Sequence, residues 1–271
     1  MLSLKQTREK RNRHKSFLFE GVRLINAAID VKWPIEAFVY SSSSQRPLSD
    51  WAKGILAQTT ATIYDLSPNL LEQLSDKEET SELLAIGKIR ADDVSIIPSV
   101  IPMTTATTVG DSGAGLIAVF DRPTNPGNLG TFIRTCDAFG VDAIIITGHA
   151  CDLYDPQTIR ATTGSFFSIP IVRLPSHTEF MALFTGTLQA ANLNFQIIGT
   201  DERAPLVITD ADFRKPTVIL VGNETSGLSS AYKSLCTQLV KIPMAGSASS
   251  LNAAVAASLI LYEAKRQRGF E

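Results

Sequence analysis

The sequence predicts an α/β protein in two parts, and three observations carry that prediction. Short β-rich runs alternate with helical patterns along most of the 271 residues. The second half holds apolar runs too continuous for a sheet with one wet face. Between the halves, Arg90–Gly113 ("RADDVSIIPSVIPMTTATTVGDSG") mixes prolines with small polar residues and shows no sustained period. The expected division is a small α/β domain over 1–90, a linker over 91–113 and a second domain over 114–271, sizes ordinary for domains.

In the first part, "FLFEG", "EAFVYSS", "TIYDLS" and "ELLAIGKI" read as strands. "VRLINAAID", "LSDWAKGILAQT" and "PNLLEQLSD" read as helices, the last opened by Pro68. In the second part, "GLIAVFD", "DAIIITG", "FQIIGTD" and "TVILVGN" read as strands of a parallel sheet covered on both faces. Helical stretches fall at Asn128–Phe139, Pro156–Thr163 and Thr178–Ala190, and a final helix begins near Ser250. That helix is rich in alanine (Ala253, Ala254, Ala256, Ala257) and carries an apolar stripe of Leu251, Val255, Leu259 and Tyr262, so it is expected to be buried on most sides.

Composition narrows the function. The net charge of −2 does not describe a generally basic nucleic-acid binder. The N-terminal run "KQTREKRNRHK" nevertheless sets Lys5, Arg8, Lys10, Arg11, Arg13 and Lys15 against the single acid Glu9. Such a run is either a solvated helix face or a phosphate contact, and taken alone it decides neither. The scattered Cys136, Cys151 and Cys236 form no CxxC pair, and His14, His149 and His177 form no HExxH, so no metal is expected. No run reaches the roughly 18 apolar residues of a membrane span and no signal-peptide core opens the chain, so a cytoplasmic protein without a membrane partner is expected. Neither GxGxxG after the first strand nor GxxxxGK[ST] is present.

In open parallel sheets, ligands bind beyond the carboxyl ends of the strands. Three such places stand out. After "GLIAVFD" come Asn128, Gly130 and Arg134, which read either as a helix start with a surface arginine or as a functional group. After "TVILVG" come Asn223 and Glu224 and a Gly227 turn, with a polar cap and a functional site equally open. After "LVKIPM" comes "AGSASSLN", where Ser250 suits an N-cap and leaves backbone N–H groups for an anion.

In this order "NLGTFIR" (Asn128–Arg134), "VGNETSGL" (Val221–Leu228) and "IPMAGSASSLNAAVAASLILYE" (Ile242–Glu263) resemble the three signature motifs of the SpoU/TrmH family of RNA 2′-O-ribose methyltransferases. "DLYDPQTIRATTGSFFSIPI" resembles the family's stretch between the first two motifs, with Thr162 where relatives often carry serine. "KRNRHKSFLFEGVRLINAAI" resembles the substrate-binding extension of ribosomal-RNA-type members. The resemblance implies a knotted α/β methyltransferase domain, threaded as a deep trefoil, behind a small domain similar to a ribosomal protein. It implies a homodimer with the active site near the dimer interface, and S-adenosylmethionine as cofactor.

Carried onto this chain, the resemblance puts the adenosyl group against Gly222, Ile242 and Leu251, with Thr200 nearby. Arg134, Glu224, Ser250 and Asn252 match the catalytic positions, and Lys10, Arg11, Arg13 and Asn128 are the expected RNA contacts. The family role of base would fall on Arg134, but a guanidinium with a pKa above ~12 stays protonated. Arg134 is better suited to bind phosphate and stabilise a developing alkoxide, while Ser250 and Asn252 orient the hydroxyl. Glu224 is either an alternative base or an orienting carboxylate for Arg134. The expected activity is methylation of a ribose 2′-hydroxyl, with ribosomal RNA as substrate. A tRNA substrate and a non-catalytic RNA-binding assembly factor are the alternatives.

Overall fold

A computed structural model describes residues 1–44, 46–101, 114–188 and 194–270, and among these eleven strands and their helices form two compact units. One unit comprises Met1–Ala91 and Asp152–Ser168; the other comprises Asp92–Cys151 and Ile169–Glu271. Residues 102–113 of the expected linker and 189–190 of the expected helix lie outside the described residues.

The first unit has a four-stranded sheet of β1 (Ser16–Glu20), β2 (Ile35–Tyr40), β3 (Thr62–Asp65) and β4 (Leu84–Lys88), in the order β1-β4-β2-β3. β4 runs antiparallel to both β1 and β2, while β3 adds parallel to β2 at the edge. These strands and the helices Val22–Asp30, Asp50–Gln58 and Pro68–Leu74 lie where the alternation of patterns places them.

Asp152–Ser168 departs from the expected division, because it packs with this unit rather than with the sheet it follows in sequence. Its aromatic side chains explain why. The fully buried Phe17 meets Tyr154, Phe166 and Phe167 at ring-centroid distances of 5.0, 5.7 and 6.4 Å, and Phe19 meets Phe167 at 5.1 Å. Arg11 supplies the polar counterpart. It donates from Nε to Asp152 at 2.7 Å and from Nη1 to the Leu4 carbonyl at 2.7 Å, and Nη2 pairs with Asp155 at 3.4 Å. At 2 % exposure it has no surface to offer RNA, which corrects the expected phosphate role of Arg11. Lys10 is half-buried and Arg13 is exposed on the same helix, Arg8–His14.

The second unit is built on β5 (Leu116–Asp121), β6 (Ala143–Thr147), β7 (Ile171–Leu174), β8 (Gln196–Thr200), β9 (Leu206–Val207), β10 (Thr217–Val221) and β11 (Gln238–Lys241). Their order is β7-β6-β5-β10-β8-β11-β9, and every pairing is parallel. β5, β6 and β10 are buried throughout, as their unbroken apolar runs require. Alternate residues serve opposite faces. Ile117, Val119, Val218 and Leu220 pack with Ile97, Phe180 and Tyr232, whereas Phe120 packs on Phe132 at 5.0 Å. Ile97 belongs to a short helix, Ile96–Val100, within what reads in sequence as a featureless linker.

The final helix runs from Ala253 to Arg268 and lies beside the helix Pro126–Ala138, with Thr135 Oγ1 and Ser258 Oγ 3.1 Å apart. Its far end is held at the amino edge of the sheet. Arg268 donates to the carbonyls of Phe213 and Lys215 at 2.8 Å each, of Gly115 at 3.3 Å, and of Ala114. Burial lowers the Arg268 pKa to about 10, which leaves it protonated at neutral pH. Ala254, Ala257, Ile260, Leu261 and Ala264 form its buried face. Val255, Leu259 and Tyr262 point the other way, with Val255 and Tyr262 each 48 % exposed. The apolar stripe expected to be buried is therefore the open face of the helix, and its alanines are the packed one.

Replacing Arg11 by Ala should cost about 3–5 kcal/mol, because the buried Asp152 carboxylate loses its partner. Calorimetry should show a lowered unfolding temperature for Arg11→Ala and an unchanged one for Arg13→Ala; equal behaviour would contradict the buried role of Arg11.

Candidate active site

A cavity of about 470 Å³ opens beyond the carboxyl ends of β8, β10 and β11. Thr200, Gly222, Ile242 and Leu251, the four expected cofactor contacts, all line it, together with Glu224 and Ser250. Three loops far apart in sequence thus meet where a parallel sheet normally presents its ligand site.

The loop after β10 makes the tightest wall. Asn223 and Gly227 exchange backbone hydrogen bonds, 3.2 Å from Asn223 N and 3.0 Å from Gly227 N. Asn223 Oδ1 also accepts from the amides of Thr225 and Ser226 at 3.0 Å each. Gly227 closes this turn at φ +63°, a conformation that favours glycine. Gly222 lies so close to it that a Cβ there would sit 2.3 Å from Gly227 C and Leu228 N. Only glycine brings the chain this near.

Glu224 is an acceptor at the centre of the site. Its carboxylate receives the Thr124 amide at 3.0 Å, the Thr124 hydroxyl at 2.9 Å, the Asn125 amide at 3.1 Å and Asn128 Nδ2 at 3.3 Å. Burial opposes its ionisation, but the donors from Thr124 and Asn125 outweigh burial, and its pKa falls below the usual carboxylate range. A carboxylate so held is charged at neutral pH and poorly suited to take a proton. Its partners are the loop before Pro126–Ala138 rather than Arg134. Of the two expected roles for Glu224, neither base nor orienter of Arg134 fits; it anchors a loop.

That anchor continues through two asparagines. Asn128 Oδ1 accepts from Asn252 Nδ2 at 3.0 Å, while Asn252 Oδ1 accepts from the amides of Ala254 and Val255 at 2.9 and 3.3 Å. Asn252, not Ser250, is therefore the N-cap of the final helix, which begins at Ala253. Likewise Asn125 caps Pro126–Ala138, accepting from the Asn128 amide at 3.0 Å. The Asn128 side chain is engaged with Glu224 and Asn252, so it braces the site and is not free for RNA. Ser250 stays exposed at the cavity mouth. Arg134 is exposed on the helix that Asn125 caps.

Sequence reasoning overlooked Asp121 and Arg122, whose signal is only a charged pair at the end of an apolar run. Asp121 is 1 % exposed and accepts from Arg122 Nη2 at 2.9 Å and from the Thr147 hydroxyl at 3.2 Å.

The cavity suits the expected cofactor. Its volume lies in the range of small-molecule sites, about 300–1,000 Å³. Its walls offer backbone at Gly222 and Ile242 and apolar surface at Leu228, Met244 and Leu251. Among the described residues no group of three or more His, Cys, Asp or Glu could hold a metal ion.

Comparison with known proteins identifies the family. The profile of the SpoU rRNA Methylase family matches residues 115–262, and that of the SpoU L30e-like domain matches residues 2–85. A 23S rRNA (uridine(2479)-2′-O)-methyltransferase of Streptomyces viridochromogenes is 45 % identical over 262 residues, 96 % of this chain and 86 % of the relative. A 23S rRNA (guanosine(2553)-2′-O)-methyltransferase of Bacillus subtilis is 26 % identical, over 94 % of this chain and 91 % of its own. Among solved structures, the SpoU methyltransferase AviRb from Streptomyces viridochromogenes in complex with AdoMet superposes with a TM-score of 0.88 at 44 % identity, covering 98 % of this chain and 96 % of its own. An AdoMet-bound rRNA methyltransferase from Sinorhizobium meliloti gives 0.82 at 28 % identity, covering 98 % and 92 %.

Proposed function

The chain belongs to the SpoU rRNA Methylase family, and we propose that it methylates a ribose 2′-hydroxyl of ribosomal RNA with S-adenosylmethionine as cofactor, in the cytoplasm. The observation that carries this reading is the convergence of Thr200, Gly222, Ile242 and Leu251 on one cavity, with Ser250 at its mouth. The ribosomal substrate is favoured over tRNA because the chain aligns along nearly its whole length with relatives named for 23S rRNA.

When bound, S-adenosylmethionine supplies a methyl group already activated by a positive sulfur. The protein's part is positioning and charge. Ser250 orients the ribose hydroxyl and relays its proton to water. Arg134 stays protonated, holds the RNA phosphate bidentately and stabilises the developing alkoxide. Asn252 fixes the start of the final helix and so holds Ser250 at the mouth. Glu224 keeps the loop before Arg134's helix in place. Arg13 and Lys10 in the first unit supply phosphate contacts.

The homodimer belongs to the same proposal. Val255, Leu259 and Tyr262 lie at i, i+4 and i+7 on one face and leave an apolar stripe exposed, with Phe139 packed edge-on to Tyr262 at 6.0 Å. A second copy of the chain covers this face. The trefoil threading is included too. It rests on the family membership alone.

With labelled cofactor, the purified protein should transfer methyl groups to ribosomal RNA and render the neighbouring phosphodiester resistant to alkali. Arg134→Ala should lower transfer at least a hundredfold while calorimetric cofactor binding stays within about twofold of wild type. Label on a base, or full activity of Arg134→Ala, would contradict the assignment. Sedimentation should give the mass of two chains for the wild type and of one for Val255→Asp; a monomeric wild type would remove the dimer.

A further inference from the structure

We propose that Arg122 is a positioning residue for the cofactor: its guanidinium ties the Asn223–Gly227 turn to the end of β5 and so fixes the cavity wall. The proposal rests on the reading of the cavity as the cofactor site.

Arg122 stands in the left-handed region at φ +51°, where a non-glycine residue is strained. Glycine would take this conformation without strain, so the arginine side chain needs a reason to be there. Its contacts supply one. Nε lies 3.1 Å from each oxygen of Asp121, and Nη2 lies 2.9 Å from Asp121 Oδ2. Asp121 is itself buried and anchored by the Thr147 hydroxyl at 3.2 Å. With its fork fixed on a rigid carboxylate, Nη2 reaches the Gly227 carbonyl at 3.3 Å. The backbone of the same residue holds the other end of the turn, since the Arg122 carbonyl accepts from Asn223 Nδ2 at 2.7 Å. The Arg122 amide in turn donates to the Thr147 carbonyl at 2.9 Å, which sets the residue in register with β6.

Both ends of the turn are therefore held from one residue, by backbone at Asn223 and by side chain at Gly227. The turn is in direct van der Waals contact with Gly222, and Gly222, Gly227 and Leu228 all line the cavity. A turn released at Gly227 relaxes toward the cavity or away from it, and either movement spoils a wall made of backbone. A lysine in place of the arginine carries the charge but lacks the planar fork that grips Asp121 and Gly227 together.

The test uses Arg122→Gly, which suits the backbone conformation and removes only the side chain, beside Arg122→Ala and Arg122→Lys. Binding of S-adenosylmethionine is measured by calorimetry, and kcat is measured at saturating cofactor. Arg122→Gly should bind the cofactor about tenfold more weakly, because the Gly227 end of the turn loses its charge-assisted hydrogen bond. Its kcat at saturation should remain within about twofold of wild type, and its KM for RNA should not change. Arg122→Lys should fall between the two, and it carries the same test if the glycine variant does not fold. Wild-type affinity in Arg122→Gly would overturn the proposal, as would a loss confined to Arg122→Ala, which would assign the effect to backbone strain. A wild-type protein that binds no cofactor would instead overturn the reading of the cavity.

Discussion

The site depends on one chain of hydrogen bonds, Glu224 to Asn128 to Asn252. Each member follows a different strand: Glu224 in the loop after β10, Asn128 in the first turn of the helix after β5, and Asn252 at the N-cap of the helix after β11. Loops at a surface are mobile unless their polar groups are paired. Here a partly buried carboxylate fixes the loop before one helix and, through two amides, the first turn of another. The geometry of the cavity mouth follows from that chain. Against the opposing effect of burial, the donors of Thr124 and Asn125 keep Glu224 ionised, so an anchor is what its surroundings make of it.

A second constraint works at the opposite edge of the sheet. The final helix is held at its start by Asn252 and at its end by Arg268, whose guanidinium donates to backbone carbonyls at the entry to β5 and β10. With both ends fixed, the buried alanine face packs against its neighbours, chiefly the helix Pro126–Ala138, where small side chains allow close approach. Val255, Leu259 and Tyr262 are then directed outward by helical geometry alone.

How much of this is legible in the sequence differs from element to element. β5, β6, β8 and β10 are read directly, because strands covered on both faces show continuous apolar runs. Thr200, Gly222, Ile242 and Leu251, singled out on the family resemblance, line one cavity. Arg11 is misread as a phosphate ligand because its partners Asp152 and Asp155 lie more than a hundred residues away. The same distance hides the packing of Tyr154, Phe166 and Phe167 into the first unit. Ser250 and Asn252 are both good capping types, and only the coordinates separate them. The stripe on the final helix is visible as a period, but a period does not say which face the sheet covers. Arg122 shows in the sequence only as half of a charged pair after an apolar run, and its left-handed backbone is invisible in the residue type.

Asn128 and Asn252 act as one brace on the cavity. A double-mutant cycle on Asn128→Ala and Asn252→Ala, read as S-adenosylmethionine affinity, tests it most directly. The two losses should be non-additive by about 1 kcal/mol or more, because either substitution already breaks the bridge. Strictly additive losses would show that the two side chains act independently and would contradict the account.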